Sequence, residues 1–182
     1  VVDQDLRWEL LIGLVAAGRA GETEIAAEES RDLTTTGRER AAQARAAVPT
    51  AEAKAATWRE LMENTSMPNE TQVKTLRGFG DVERRPKLLA PFIAEYVREA
   101  DAIWDTRTFH MAENLLTALW STATVGLEGV DPVGALEGWL ASHADAPAAF
   151  RRIVAENLDD TRRVVGAQAC QAAAANSDEE PR

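Results

Sequence analysis

The side chains able to do chemistry in this sequence are few: two histidines, one cysteine and several adjacent pairs of carboxylates. His110 and Glu113 stand three residues apart, a spacing that puts both on one face of a helix and offers two ligands to one metal. A catalytic zinc needs three protein ligands and an open position, and neither a His-Glu-x-x-His pair nor an evident third ligand accompanies them. Capping or solvation explains both histidines more simply. His143, followed by Ala144 and Asp145, reads as a helix-end residue in the favourable field of the C-terminal dipole. Cys170 is the only cysteine, so no intrachain disulfide can form, and no cationic neighbour lowers its pKa; it reads as a small buried hydrophobe or an inert surface thiol. Glu28-Glu29 and Asp159-Asp160 are sequence neighbours that diverge around a helix, which marks them as charges of a solvated face. Phosphate-binding loops, dinucleotide turns and nucleophile elbows are all missing. Trp8, Trp58, Trp104, Trp120 and Trp139 could form a ligand platform, but they fall on or beside apolar stripes, where packing is their simpler use. The expectation is that this chain holds no catalytic, cofactor-binding or metal residue.

The charge balance narrows the partners. Lys plus Arg number 20 against 30 Asp plus Glu, a net charge of −10 that repels a phosphate backbone. Arg84, Arg85 and Lys87 form the one tight basic cluster, without interleaved aromatics, so no nucleic acid is expected. No apolar run approaches the ~20 residues of a membrane span, and the expectation is a cytoplasmic protein with no membrane partner. The start, Val1-Val2-Asp3, has neither an initiator methionine nor a signal-like pattern and reads as a cut inside a longer protein.

The elements that would position any site are helices. Trp8, Leu11, Ile12 and Val15 recur at helical spacing between Asp3 and Ala17, and Leu6, Leu10 and Leu14 add a second stripe. So wide an apolar arc predicts burial against neighbours on more than one side. Gly18 closes this helix as a left-handed cap. A second helix follows from Glu22 to about Asp32, and a third from Thr36, whose spacing to Glu39 suggests a capping box, to Ala47. Thr50 caps the next, with Trp58, Leu61 and Met62 on one side; Asn69 and Gln72 repeat the capping-box spacing before a helix that ends at Gly78-Phe79-Gly80. From Pro86 the apolar pattern runs to Trp104, with Pro91 either tolerated in the first turns or splitting the segment. Residues 112–123, then Asp131-Pro132 onward, then Pro147 onward make three more, the last turning Phe150, Ile153, Val154 and Leu158 inward. No segment alternates with period two. The fold class is all-α, and short helices of similar length joined by brief turns predict antiparallel αα-hairpins stacked as a degenerate α-solenoid, a HEAT/armadillo-like superhelix. Residues 1–175 form the domain and 176–182 a frayed polar tail.

Several stretches, in order, resemble the actinobacterial aminopeptidase N family. They are Asp5-Leu6-Arg7-Trp8, Gly18-Arg19-Ala20-Gly21, Pro49-Thr50-Ala51-Glu52-Ala53-Lys54 with Trp58, then Pro68-Asn69, Gly78-Phe79, Leu89 with Pro91, and Tyr96. Each is also a reasonable helix boundary; their joint order and spacing carry the resemblance, which covers nearly the whole chain and is strongest from Asp3 to Trp58. They look like the last part of the helical C-terminal domain shared with the endoplasmic-reticulum aminopeptidases.

The resemblance implies a parent zinc metallopeptidase that removes single residues from peptide N-termini. Its zinc ligands, general-base glutamate and amine-binding motif would lie upstream, since none matches a position here. The implied partners are the parent's own upstream catalytic and helical segments and its peptide substrates, with zinc as the parent's cofactor and none in this chain. Family members have further helices before the Asp-x-Arg-Trp segment, so the chain looks shorter than the full domain. Such domains curve against the catalytic domain and enclose its chamber, where Arg7 and Arg45 could meet peptide carboxylates or simply lie at a solvated helix edge. The alternative reading is an independent α-solenoid scaffold that binds another protein. Under the first reading, a cut through the array predicts an apolar patch near Leu6, Leu10 and Leu14, where the fragment could self-associate.

Overall fold

Local capping chemistry explains where most helices begin. In the computed structural model, which describes residues 3–82 and 85–178, the Asp3 carboxylate accepts hydrogen bonds from the backbone N–H groups of Asp5 and Leu6 and opens α1 (Gln4–Ala16). Gly18, at φ +73°, ends it in the left-handed region that glycine adopts without strain. In α2 (Glu22–Arg31), Glu24 reaches back to the Gly21 N–H at 2.9 Å. Thr50 caps α4 (Ala51–Glu63) through the Ala53 N–H, and Asp131 caps α8 (Pro132–Ser142) through the Gly134 N–H at 2.8 Å.

Two caps fall elsewhere than the spacing suggests. The third helix, α3 (Thr35–Ala46), is capped by Thr34 and not by Thr36: the Asp32 carboxylate accepts a hydrogen bond from the Thr34 hydroxyl at 2.6 Å, which orients that oxygen to accept from the Gly37 N–H. In α5 (Asn69–Gly80) Pro68 holds the cap position with no side-chain cap bond, and Gln72 is buried in the helix instead of reaching back. Pro91 splits its segment, leaving a 3-10 turn at Pro86–Leu88 before α6 (Pro91–Thr106), where its missing N–H costs nothing at the first helical position. The next helix, α7 (Phe109–Ala118), stops short; Leu119 and Trp120 are buried beyond its end, ahead of a 3-10 turn at Thr122–Thr124. Similar lengths hold for eight helices, but α9 (Ala148–Asp178) has 31 residues. Nine α-helices and no strand occur among the described residues, and none of their helices is long and apolar enough to cross a membrane.

Contacts run between near neighbours and also between helices two apart: α1 with α3, α3 with α5, α5 with α7, α7 with α9, and α6 with α8. The closest of these is α3 against α5. At their crossing Gly78 leaves no room for a side chain, since a Cβ there would stand 2.1 Å from the Gln43 carbonyl oxygen. Two apolar clusters result. Trp8, Ile12, Val15, Ile25, Ala41, Ala44 and Ala47 form one among α1–α3. The other fills α4–α9 around Trp58, Phe79, Phe92, Tyr96, Trp139 and Phe150. On α1 only one stripe goes inward: Leu6, Leu10 and Leu14 remain 51%, 57% and 46% exposed, so the wide arc is not covered on more than one side and an apolar patch stands where a truncated array predicts one. Packing against α2 and α3 covers the Trp8 side of α1 and leaves the leucine stripe outside.

Candidate functional site

The residues flagged for chemistry do not converge. His110 is exposed near the start of α7, whereas Glu113 pairs with Arg152 of α9 at 3.4 Å. His143 is the C-cap of α8, as its position implied; its ring stacks on Trp139 with centroids 4.2 Å apart, and Nε2 lies 3.0 Å from Asp101. Cys170 is exposed on α9. Among the described residues no three His, Cys, Asp or Glu side chains lie where they could hold a metal. All the tryptophans but Trp104 are buried, and Trp104 stacks on Phe150 at 4.9 Å, so these rings build the core. Arg84 lies outside the described residues; Arg85 and Lys87 are exposed, and Arg85 donates to the Pro49 carbonyl.

The carboxylate pairs separate into two kinds. Asp159 and Asp160 are solvated and share Arg163, as a surface face should. Glu28 contradicts that reading: it is buried and receives Arg7 at 2.8 Å and Arg31 at 3.4 Å. Glu29 turns to Arg45, which also holds Glu22 at 2.7 Å. These acids bring α2 onto α1 and α3, because α2 offers little besides Ile25 to an apolar core. Arg7 and Arg45 are therefore structural ties. The hydrogen bonds that Arg45 donates to Glu22 and Glu29 raise its pKa, against the opposing effect of burial.

Basic side chains elsewhere close helix C-termini, whose last carbonyls lack intrahelical donors and carry the negative end of the dipole. Lys54 is the clearest case. It is fully buried, and its ammonium donates to the carbonyls of Ala46 at 2.7 Å, Gly78 at 3.0 Å and Phe79 at 2.8 Å, joining the ends of α3 and α5. Burial pushes its pKa down to about 8, opposed by Asp81, while three acceptors around three N–H donors suit the charged form. Arg107 donates to Leu61 and Met62 at the end of α4, and Arg151 to Leu140 and His143 at the end of α8. Lys54 had a sequence signal: it precedes Trp58 and Leu61 at i, i+4, i+7, on the face turned inward. Arg107 and Arg151 had none, because their acceptors belong to other helices or turns.

What the molecule leaves open lies along its surface. A cleft of about 510 Å³ runs beside the end of α1, lined by Gly13, Leu14, Ala17, Arg19 and Arg85. A second, of about 340 Å³, adjoins it through Gly13 and Asp81 and takes in Arg40, Arg77 and Gln43. A third groove, about 740 Å³, lies between α4 and α6 over Trp58, Met62 and Phe92, with Glu63, Glu95 and Glu99 among its lining residues. Arginines and apolar edges suit contact with other polypeptide.

The geometry defines a helical packing domain. The chain belongs to the ERAP1-like C-terminal domain family, whose model matches residues 1–163. It is 40% identical over 174 residues to Aminopeptidase N of Streptomyces lividans, an alignment that takes in 96% of this chain and 20% of the relative. The chain thus spans about a fifth of the length of the curated relative it matches.

Proposed function

We propose that this chain is the non-catalytic C-terminal part of a zinc aminopeptidase and helps to enclose the chamber through which peptides reach the metal. The similarity to Aminopeptidase N along nearly the whole chain carries this reading. The contacts between helices two apart support an arrangement of stacked αα-hairpins, a degenerate α-solenoid of the HEAT/armadillo kind. Among the described residues the donor set does not suit zinc: Glu113 is engaged by Arg152, and no three His, Cys, Asp or Glu side chains gather around His110. The zinc, its ligands and the general base accordingly belong to an upstream catalytic domain, which together with upstream helices is the partner of this chain in a cytoplasmic enzyme. The segment acts by excluding bulk water and fixing which peptides enter, so that productive contacts at the metal strengthen without any residue here touching the reacting bond.

Deleting the segment from the full-length enzyme tests this. Turnover of a single-residue fluorogenic substrate and of peptides of increasing length should then diverge from the parent's profile, with zinc content retained. Unchanged turnover at every length would overturn the reading and favour an independent scaffold.

A further inference from the structure

Where α1, α3 and α5 meet, the cleft of about 340 Å³ keeps polar groups whose partners the fold does not supply. Its volume lies within the roughly 300–1,000 Å³ of small-molecule sites. The inner wall is α3. Gln43 is 5% exposed there, and its Oε1 has no donor. One turn earlier, Arg40 keeps a buried Nε without an acceptor, although its Nη1 meets Glu9 at 3.1 Å. Buried polar atoms are seldom left unpaired, and each exception calls for a water, a ligand or a role. The rim is α5. Arg77 and Asp81 stand at i, i+4 and are both exposed, yet among the described residues no ion pair joins them or ties either to another side chain. Lys54 acts on Asp81 from the buried side. At Gly13 the surface turns apolar: a Cβ there meets nothing within 4 Å, and past it the neighbouring cleft of about 510 Å³ offers Leu14, Ala17 and Val82.

We propose that this cleft binds a free α-amino acid with an apolar side chain. The ligand's carboxylate accepts from Arg77 and the Arg40 guanidinium, and its ammonium donates to Asp81 and Gln43 Oε1. Its side chain passes Gly13 onto Leu14, Ala17 and Val82. The last torsion of a glutamine is broad, so a modest turn brings Oε1 to the ligand. A simple anion would satisfy the guanidiniums but set its charge against Asp81 and the Gln43 oxygen. A simple amine would satisfy those acceptors and leave the guanidiniums unanswered. A zwitterion with both charges on neighbouring atoms meets all four groups through charge-assisted bonds, whereas a longer peptide carries its two charged ends too far apart. On the function proposed above, the same ligand class is the product that the parent enzyme releases.

Titration of the chain with L-leucine, followed by heteronuclear NMR, tests this. The backbone amides of Gly13 and Asp81 and the side-chain amide of Gln43 should shift together, while amides of α7–α9 stay in place. Arg77→Gln and Asp81→Asn, both at exposed positions, should each weaken binding about tenfold or more. Gly13→Leu closes the passage between the two clefts at a helical position with room for a side chain, and should weaken L-leucine by a similar factor. Isocaproate, which lacks the ammonium, and isoamylamine, which lacks the carboxylate, should also bind about tenfold or more weakly than leucine. Equal affinity for isocaproate would make this a site for simple anions and overturn the proposal, as would equal affinity for isoamylamine. Full affinity in any of the three variants, or no shift of these resonances at millimolar leucine, would overturn it too. Binding is read without turnover or zinc, so the proposal can fail while the aminopeptidase reading stands.

Discussion

The first three helices and the last six are held together by different forces. Around α1–α3 the core is small, with three alanines among its seven buried members, and the remaining cohesion is ionic: Arg7 with Glu28, Arg45 with Glu22 and Glu29, Arg40 with Glu9. Around α4–α9 the core is aromatic, with Phe92 stacked on Trp58 at 5.0 Å and Phe150 held between Trp104 and Trp139. Its buried hydrogen bonds are mostly neutral, as in Tyr96 to the Leu116 carbonyl, Asn157 to Tyr96, and Trp120 to Thr161. Small side chains let α3 lie close on α1 and α5, but they bury little apolar area. The region closed that way depends on oriented polar partners, and the other on filled volume.

Truncating an aromatic should therefore have the largest effect. Phe150→Ala empties the space between two indoles and should cost about 3–5 kcal/mol, read as a lowered urea midpoint. Trp8→Ala should fall in the same range, because Trp8 is fully buried. The two regions part company under a gentler change. Trp8→Phe keeps most of the volume but removes the Nε1–H that donates to Asp32 at 2.8 Å, and should still cost about 1–3 kcal/mol. A silent Trp8→Phe would break the comparison.

Lys54 joins the two regions and sharpens the contrast. Lys54→Met preserves much of the side-chain volume while leaving the carbonyls of Ala46, Gly78 and Phe79 without their buried donor. A cost of about 3 kcal/mol is expected, since each orphaned acceptor costs roughly 1–3 kcal/mol and partial relaxation recovers some of it. A midpoint unchanged from the parent would mean that apolar packing alone holds α3 to α5.

How much of this the sequence discloses depends on the range of the interaction. Helical class, the Asp3, Thr50 and Asp131 caps, and the inward faces of α4, α6 and α9 follow from spacing within a turn or two. Thr34 displaces Thr36 as a cap because Asp32, itself held by Trp8, orients the hydroxyl, and that chain of bonds spans 24 residues. Glu28 looks like one more surface acid until α1 brings Arg7 to it. Lys54 falls on the inward face of α4 by its spacing, but its acceptors are visible only once α3 and α5 supply their last carbonyls. For the surface, Leu6, Leu10 and Leu14 are plainly apolar in the sequence, but whether they are covered depends on neighbours that spacing cannot count.

Acid should act on the first region before the second, with a smaller effect than truncating an aromatic. The buried acids among the described residues are Glu28 and Asp32, both in α1–α3 or its connections. Asp32 is held down to about 2 chiefly by the Thr34 hydroxyl, with further help from Trp8 and against the opposing effect of burial. A carboxylate unfolds to an ordinary value near ~3.9, so its stabilising contribution is complete above about pH 4 and is lost as pH falls through 2. Ion pairs of the other region, such as Glu137 with Arg162 and Asp159 with Arg163, are solvated and contribute little to stability. Between pH 4 and pH 2, amide exchange in α1–α3 should accelerate ahead of that in α6–α9, by an amount corresponding to roughly 1–3 kcal/mol for a charge-assisted bond. Asp32→Asn should be less stable at neutral pH and should flatten the response over that window. Uniform acceleration through all nine helices would show that the domain opens as one unit despite its two kinds of interior.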